Sequence, residues 1–138
     1  MKRLHVNIQV KELAKSIHFY SQLFKAEPSV VKADYAKWML EDPKVNFALS
    51  LSDTKEGIEH LGIQAETEEE LGELYSRLDR IEGKIFEEGD TVCCYAKSHK
   101  SWIEDPQGVE WEIFHSYGTS ETNTSEGSPC CIPLSENK

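Results

Sequence analysis

Long apolar runs are missing from this chain of 138 residues. No stretch approaches the roughly 20 apolar residues that carry a helix across a bilayer, so no membrane span is expected. Basic residues are also scarce: 15 Lys and Arg stand against 25 Asp and Glu, for a formal charge of -10. Neutralising phosphates requires clustered Lys and Arg, and no such cluster exists, which argues against a nucleic-acid or anionic-membrane partner. The start, Met1-Lys2-Arg3-Leu4-His5, runs directly into a strand-like pattern without an apolar leader, so the expected location is cytoplasmic. Cysteine is limited to two adjacent pairs, Cys93-Cys94 and Cys130-Cys131. In a reducing compartment these are read as ligands or reactive thiols rather than structural disulfides.

What the chain does have is an internal repeat. His5-Val6-Asn7-Ile8-Gln9 returns as His60-Leu61-Gly62-Ile63-Gln64, and Tyr35-Ala36-Lys37 as Tyr95-Ala96-Lys97. Trp38 followed by Glu41-Asp42-Pro43 returns as Trp102 followed by Glu104-Asp105-Pro106. The offset drifts only from about 55 to about 64 residues, the mark of a duplicated module with small insertions. Aligned this way, Ala33-Asp34 falls opposite Cys93-Cys94, and Ala48 opposite Glu112. The scaffold is the same in both copies; the residues capable of chemistry differ.

Hydrophobic periodicity gives each copy the order βαβββ. Leu4, Val6, Ile8 and Val10 alternate with polar residues, as on a strand with one wet face. Leu13, Ile17, Tyr20 and Phe24 then recur at helical spacing, predicting a helix over 12–25. Strands are predicted over 29–33, 35–41 and 44–51, with Asp42-Pro43 as a turn. In the second copy a strand over 58–65 precedes Thr67 and Glu70, a capping-box pair that opens a helix with Leu71, Leu74, Tyr75 and Leu78 as its buried stripe. Glu68, Glu69, Glu70 and Glu73 form its solvated face. Strands follow near 84–88, 91–96, 101–104 and 109–115, with Ser98-His99-Lys100-Ser101 read as an insertion in a long hairpin or a loop. The fold class is α+β, with one domain over 1–117 built from module 1–54 and module 55–117. Residues 118–138 are too polar to repay the entropy of folding and are expected to form a flexible tail.

His5 and His60 hold equivalent places on the first strands of the two copies, and Glu112 interrupts an aromatic-rich strand. Two imidazoles and one carboxylate on one side of an ion leave positions open, the facial arrangement of non-haem ferrous oxygenases. The same donor set also suits zinc in hydrolytic sites, and manganese and nickel remain compatible. Ala48, in the fourth position, has no ligand atom. His18, His99 and His115 are assigned no ligand role; His99 and Lys100, near the dithiol, are candidate accessory groups.

Thiolates prefer soft ions and thiophilic elements such as trivalent arsenic, cadmium or cuprous copper. Successive side chains of a strand point to opposite faces, so joint chelation by Cys93 and Cys94 needs a turn or a bulge at that point. The tail pair Cys130-Cys131 is either an accessory capture site or dispensable.

The paired modules with His5, His60 and Glu112 resemble the vicinal oxygen chelate superfamily of glyoxalases, antibiotic-resistance proteins and extradiol dioxygenases. Cys93-Cys94-Tyr95-Ala96, Lys100, Trp102, Asp105-Pro106-Gln107-Gly108 and Trp111-Glu112 are more narrowly similar to the carbon-arsenic lyases and their relatives described as cadmium-induced proteins. Gln107 replaces the Asp often found in that turn. The resemblance implies a cupped mixed sheet around an Fe(II) site held by His5, His60 and Glu112, arsenic bound by Cys93 and Cys94, and dioxygen as co-substrate. It also implies cleavage of a trivalent organoarsenical to inorganic arsenite, by a monomer or homodimer. Two other functions fit the residues: a non-enzymatic trap for cadmium or arsenite, and a glyoxalase-like metalloenzyme.

Overall fold

The computed structural model describes residues 1–93 and 96–119. Within that range the chain folds as two βαβββ sequences, β1 (Arg3–Val10), α1 (Leu13–Phe24), β2 (Val30–Lys32), β3 (Tyr35–Glu41) and β4 (Lys44–Leu51), then β5 (Gly57–Ala65), α2 (Glu68–Leu78), β6 (Ile85–Cys93), β7 (Ala96–Glu104) and β8 (Glu110–Thr119). The chain divides into two compact units, one over Leu4–Leu61 and the other comprising Met1–Arg3 with residues from Gly62 onward.

In the unit over 4–61 the strand order is β2-β3-β4-β1-β5. Strands β1 and β4 run parallel with His5 opposite Asn46 and Asn7 opposite Ala48, whereas β2-β3 and β3-β4 are antiparallel, so the sheet is mixed. Ala36, Trp38, Val45, Phe47 and Leu49 form the core, with Leu13, Ile17, Tyr20 and Phe24 of α1 packed onto it. Trp38 packs edge-on to Tyr20 and Phe24, and its indole donates to the Ala26 carbonyl at 2.9 Å. The helix ends at Lys25, whose left-handed backbone (φ 51°) turns its N–H back onto the last carbonyls. The predicted helix and strand boundaries of this copy agree with the structure to within two residues at each end.

In the other unit the order is β5-β8-β7-β6. Thr67 caps α2 by accepting the Glu70 N–H at 3.1 Å, and the Glu70 carboxylate accepts the Glu66 N–H at 2.8 Å. Leu71, Leu74 and Leu78 bury against Ala65, Ile103 and Ile113, as the helical spacing predicts.

Three expectations are corrected or narrowed here. The stretch 84–104 is not three short strands but two long ones paired from Ile85–Ile103 to Cys93–Ala96, with a bulge between Glu87 and Gly89. Of the two alternatives for Ser98-His99-Lys100-Ser101 the long hairpin holds and the loop does not: the stretch is the middle of β7, and Ser98, Lys100 and Ser101 are buried. The repeat alignment also slips in the second half of each copy. The pairs that close the two hairpins are Lys32–Tyr35 and Cys93–Ala96, so Cys93 corresponds to Lys32 and not to Ala33. Trp38 lies on the α1 side of its strand, but Trp102 pairs across to Glu112 on the face opposite α2, where Ile103 takes the core position. Strand β8 continues to Thr119, two residues into the segment expected to be tail.

Candidate metal centre

His5 and His60 are brought together. Both are buried, and their Nε2 atoms lie 3.0 Å apart with ring centroids at 5.0 Å and planes inclined by 46°. The remaining ring nitrogens fix the tautomers. His5 Nδ1 is 3.1 Å from the backbone carbonyl of Asn46, its neighbour in the β1-β4 register; a carbonyl can only accept, so Nδ1 carries the proton. His60 Nδ1 is 3.1 Å from the Glu59 carboxylate, which likewise accepts. With both rings neutral, the two Nε2 atoms present lone pairs to one another at hydrogen-bond distance, an arrangement relieved by a cation between them. Imidazoles whose second nitrogen donates to a carbonyl or carboxylate are the usual setting of histidine metal ligands, so the donor chemistry fits a divalent metal ion.

Glu112, on β8, is also buried, and Lys100 of β7 donates to its Oε2. Removing two charges from water is costly unless they pair, and Lys100 is further sheathed by the rings of Trp102 and Phe114, at 5.9 and 5.8 Å. Gly62, two residues along β5 from His60, faces this carboxylate's strand: a Cβ there would lie 2.5 Å from the Glu112 carbonyl oxygen. The glycine is what lets β8 approach so closely.

Sequence reasoning missed two neighbours of the histidines, Glu59 and Asn7, and named Lys100 only as an accessory. Glu59 escaped because adjacent residues of a strand point to opposite faces, yet its carboxylate turns back to His60. Asn7, two residues along β1 from His5, is buried and donates to Ser50 Oγ at 3.1 Å. Lys100 was singled out only as an accessory in a presumed insertion; the alternation Lys100, Trp102 against Glu112, Phe114 was the readable signal.

The other candidates are placed as follows. His99 lies on the face of β7 opposite Lys100, half-exposed, paired with Asp90 and edge-on to Tyr117. Tyr117 donates to the same Asp90 at 2.9 Å, which raises the phenol above its ordinary pKa. His18 is exposed and contacts Gln22, and His115 donates to the Ala65 carbonyl. Cys93 is the last residue of β6. Cys94, Cys130 and Cys131 lie outside the described residues.

Residues 2–113 match the profile of the Glyoxalase/Bleomycin resistance protein/Dioxygenase superfamily. The chain belongs to this superfamily. Among its relatives in the superfamily is the trivalent organoarsenical cleaving enzyme of Bacillus sp. (strain MD1), 47% identical over 96% of this chain and 84% of that one. A cadmium-induced protein of Mycobacterium bovis is 32% identical, covering 95% of this chain and 93% of the relative. Among solved structures, an extradiol ring-cleaving dioxygenase from B. fuscum matches with a TM-score of 0.61 at 18% identity, over 86% of this chain and 34% of that one; this likeness concerns the superfamily fold alone. No helix among the described residues is long and apolar enough to cross a membrane.

Proposed function

We propose that this chain is a non-haem Fe(II)-dependent, dioxygen-using enzyme that cleaves the carbon-arsenic bond of trivalent organoarsenicals such as methylarsenite, releasing inorganic arsenite. The observation that carries the reading is the pair of buried imidazoles with facing Nε2 lone pairs, in a chain 47% identical to a trivalent organoarsenical cleaving enzyme. In this reading His5, His60 and Glu112 hold the ion; their donor types and burial suit a divalent metal. Two histidines and a carboxylate leave coordination positions open, as an oxygenase requires. When bound, iron supplies the redox chemistry that engages dioxygen.

The chain's own residues do the rest. Cys93 and Cys94, as thiolates, take the trivalent arsenic and hold its organic substituent in place; fixing the reacting group removes much of the entropic barrier. The Asn46 carbonyl and the Glu59 carboxylate keep the protons of both imidazoles on Nδ1, so that Nε2 stays a ligand. Lys100 donates to Glu112 and holds it in one orientation. In this reading the protein works in the cytoplasm, where thiols remain reduced.

Two sets of variants test this division of labour. Cys93→Ser or Cys94→Ser is expected to lose binding of methylarsenite while retaining Fe(II), and Glu112→Ala to lose Fe(II) while retaining the arsenical, both followed by anaerobic equilibrium dialysis. Parallel loss of both ligands in either variant would overturn it.

A further inference from the structure

The two imidazoles face each other alike but are backed differently. His5 donates to a neutral peptide carbonyl, Asn46 O, which the β1-β4 ladder holds in place. His60 donates to an anion, the Glu59 carboxylate, at 3.1 Å, and that side chain is only 6% exposed. Burying a carboxylate is costly unless it is used, and among the described residues His60 is its one hydrogen-bond partner. An uncharged amide would satisfy the same N–H without that cost. A hydrogen bond to a carboxylate is stronger than one to a neutral acceptor, and it increases the electron density that the opposite ring nitrogen offers to a ligand.

Resting on the metal reading above, we propose that Glu59 is a positioning residue: it locks His60 in the Nδ1–H tautomer and makes His60 the stronger of the two imidazole donors to the bound divalent ion. His5 serves as the internal control, since its acceptor is backbone that no side-chain replacement removes.

Two variants of the full chain separate charge from geometry. Glu59→Gln keeps the shape and one acceptor oxygen but removes the charge; Glu59→Leu removes both. Mn(II), which can be titrated without turnover, is expected to bind roughly 10-fold more weakly to Glu59→Gln and up to about 100-fold more weakly to Glu59→Leu. In metal-free protein, imidazole 15N shifts are expected to show His60 wholly in the Nδ1–H form natively and as a tautomer mixture in Glu59→Leu, with His5 unmoved in both. Thermal melts establish that each variant folds; should Glu59→Leu fail to fold, the Mn(II) affinity and melt of Glu59→Gln decide the matter. Native Mn(II) affinity in a folded Glu59→Gln, or an unchanged His60 tautomer in Glu59→Leu, would overturn the assignment. Failure of the native chain to bind any divalent ion would instead sink the metal reading, and the tautomer measurement would still decide what Glu59 does to His60.

Discussion

A methyl group at position 62 would sit 2.5 Å from the Glu112 carbonyl oxygen and 3.2 Å from its Cβ, closer than backbone atoms tolerate. Gly62→Ala should therefore force β5 and β8 apart, costing about 1–3 kcal/mol or more and displacing Glu112; chemical denaturation together with Fe(II) binding would register both effects. At this scale the sequence is partly transparent. His5 and His60 could be found because a repeat puts them in register, and Glu112 because a charge breaks an apolar run. Glu59 could not, since it depends on a side chain folding back along its own strand, and Lys100 could be named only as an accessory, because its pairing with Glu112 depends on the Ser-His-Lys-Ser stretch being strand interior. The dithiol was read as needing a break in the strand; β6 ends at Cys93 and β7 begins at Ala96, with Cys94 outside the described residues.

Among the elements, α2 shows most plainly how pattern becomes packing. Its three buried leucines share one face, so Leu74→Ala should cost about 2–5 kcal/mol, and Thr67→Ala about 1 kcal/mol through loss of the cap, both measurable as shifts in a denaturant midpoint. Its solvated face carries a smaller, pH-dependent contribution. The Glu73 carboxylate is held below the ordinary carboxylate range by the Lys2 ammonium first and the Arg77 guanidinium second. A lowered folded-state value means stabilisation that is present above the unfolded carboxylate range and lost as pH falls through the lowered value. Glu73→Gln should accordingly melt slightly below the native chain near neutrality, and the difference should vanish on strong acidification. The hairpin β6-β7 was the least legible element. Its bulge at Gly89 (φ 67°) and its polar interior resemble a sequence of short strands and loops, because half of its side chains face a polar site instead of a greasy core.

The molecule as a whole is a duplication in which each copy kept its own helix-on-sheet core, aromatic in the first and aliphatic in the second, while the residues capable of chemistry differ. That is why the order of elements could be read from apolar periodicity, while the alignment of the copies slipped by one residue past the hairpins: loops of different length, Asp42-Pro43 against residues 105–109, shift which residue meets the core. Trp38, fully buried against α1, anchors the first core, and Trp38→Ala should cost about 3–5 kcal/mol by calorimetry. The central claim is that this scaffold cleaves a carbon-arsenic bond using iron and dioxygen. The direct test is a single turnover: anaerobic, iron-loaded protein is mixed with stoichiometric methylarsenite, oxygen is admitted, and the arsenic species are separated and counted. The account predicts inorganic arsenite that requires both iron and oxygen. Methylarsenite held tightly but recovered intact would contradict it and leave the chain a trap for thiophilic arsenic.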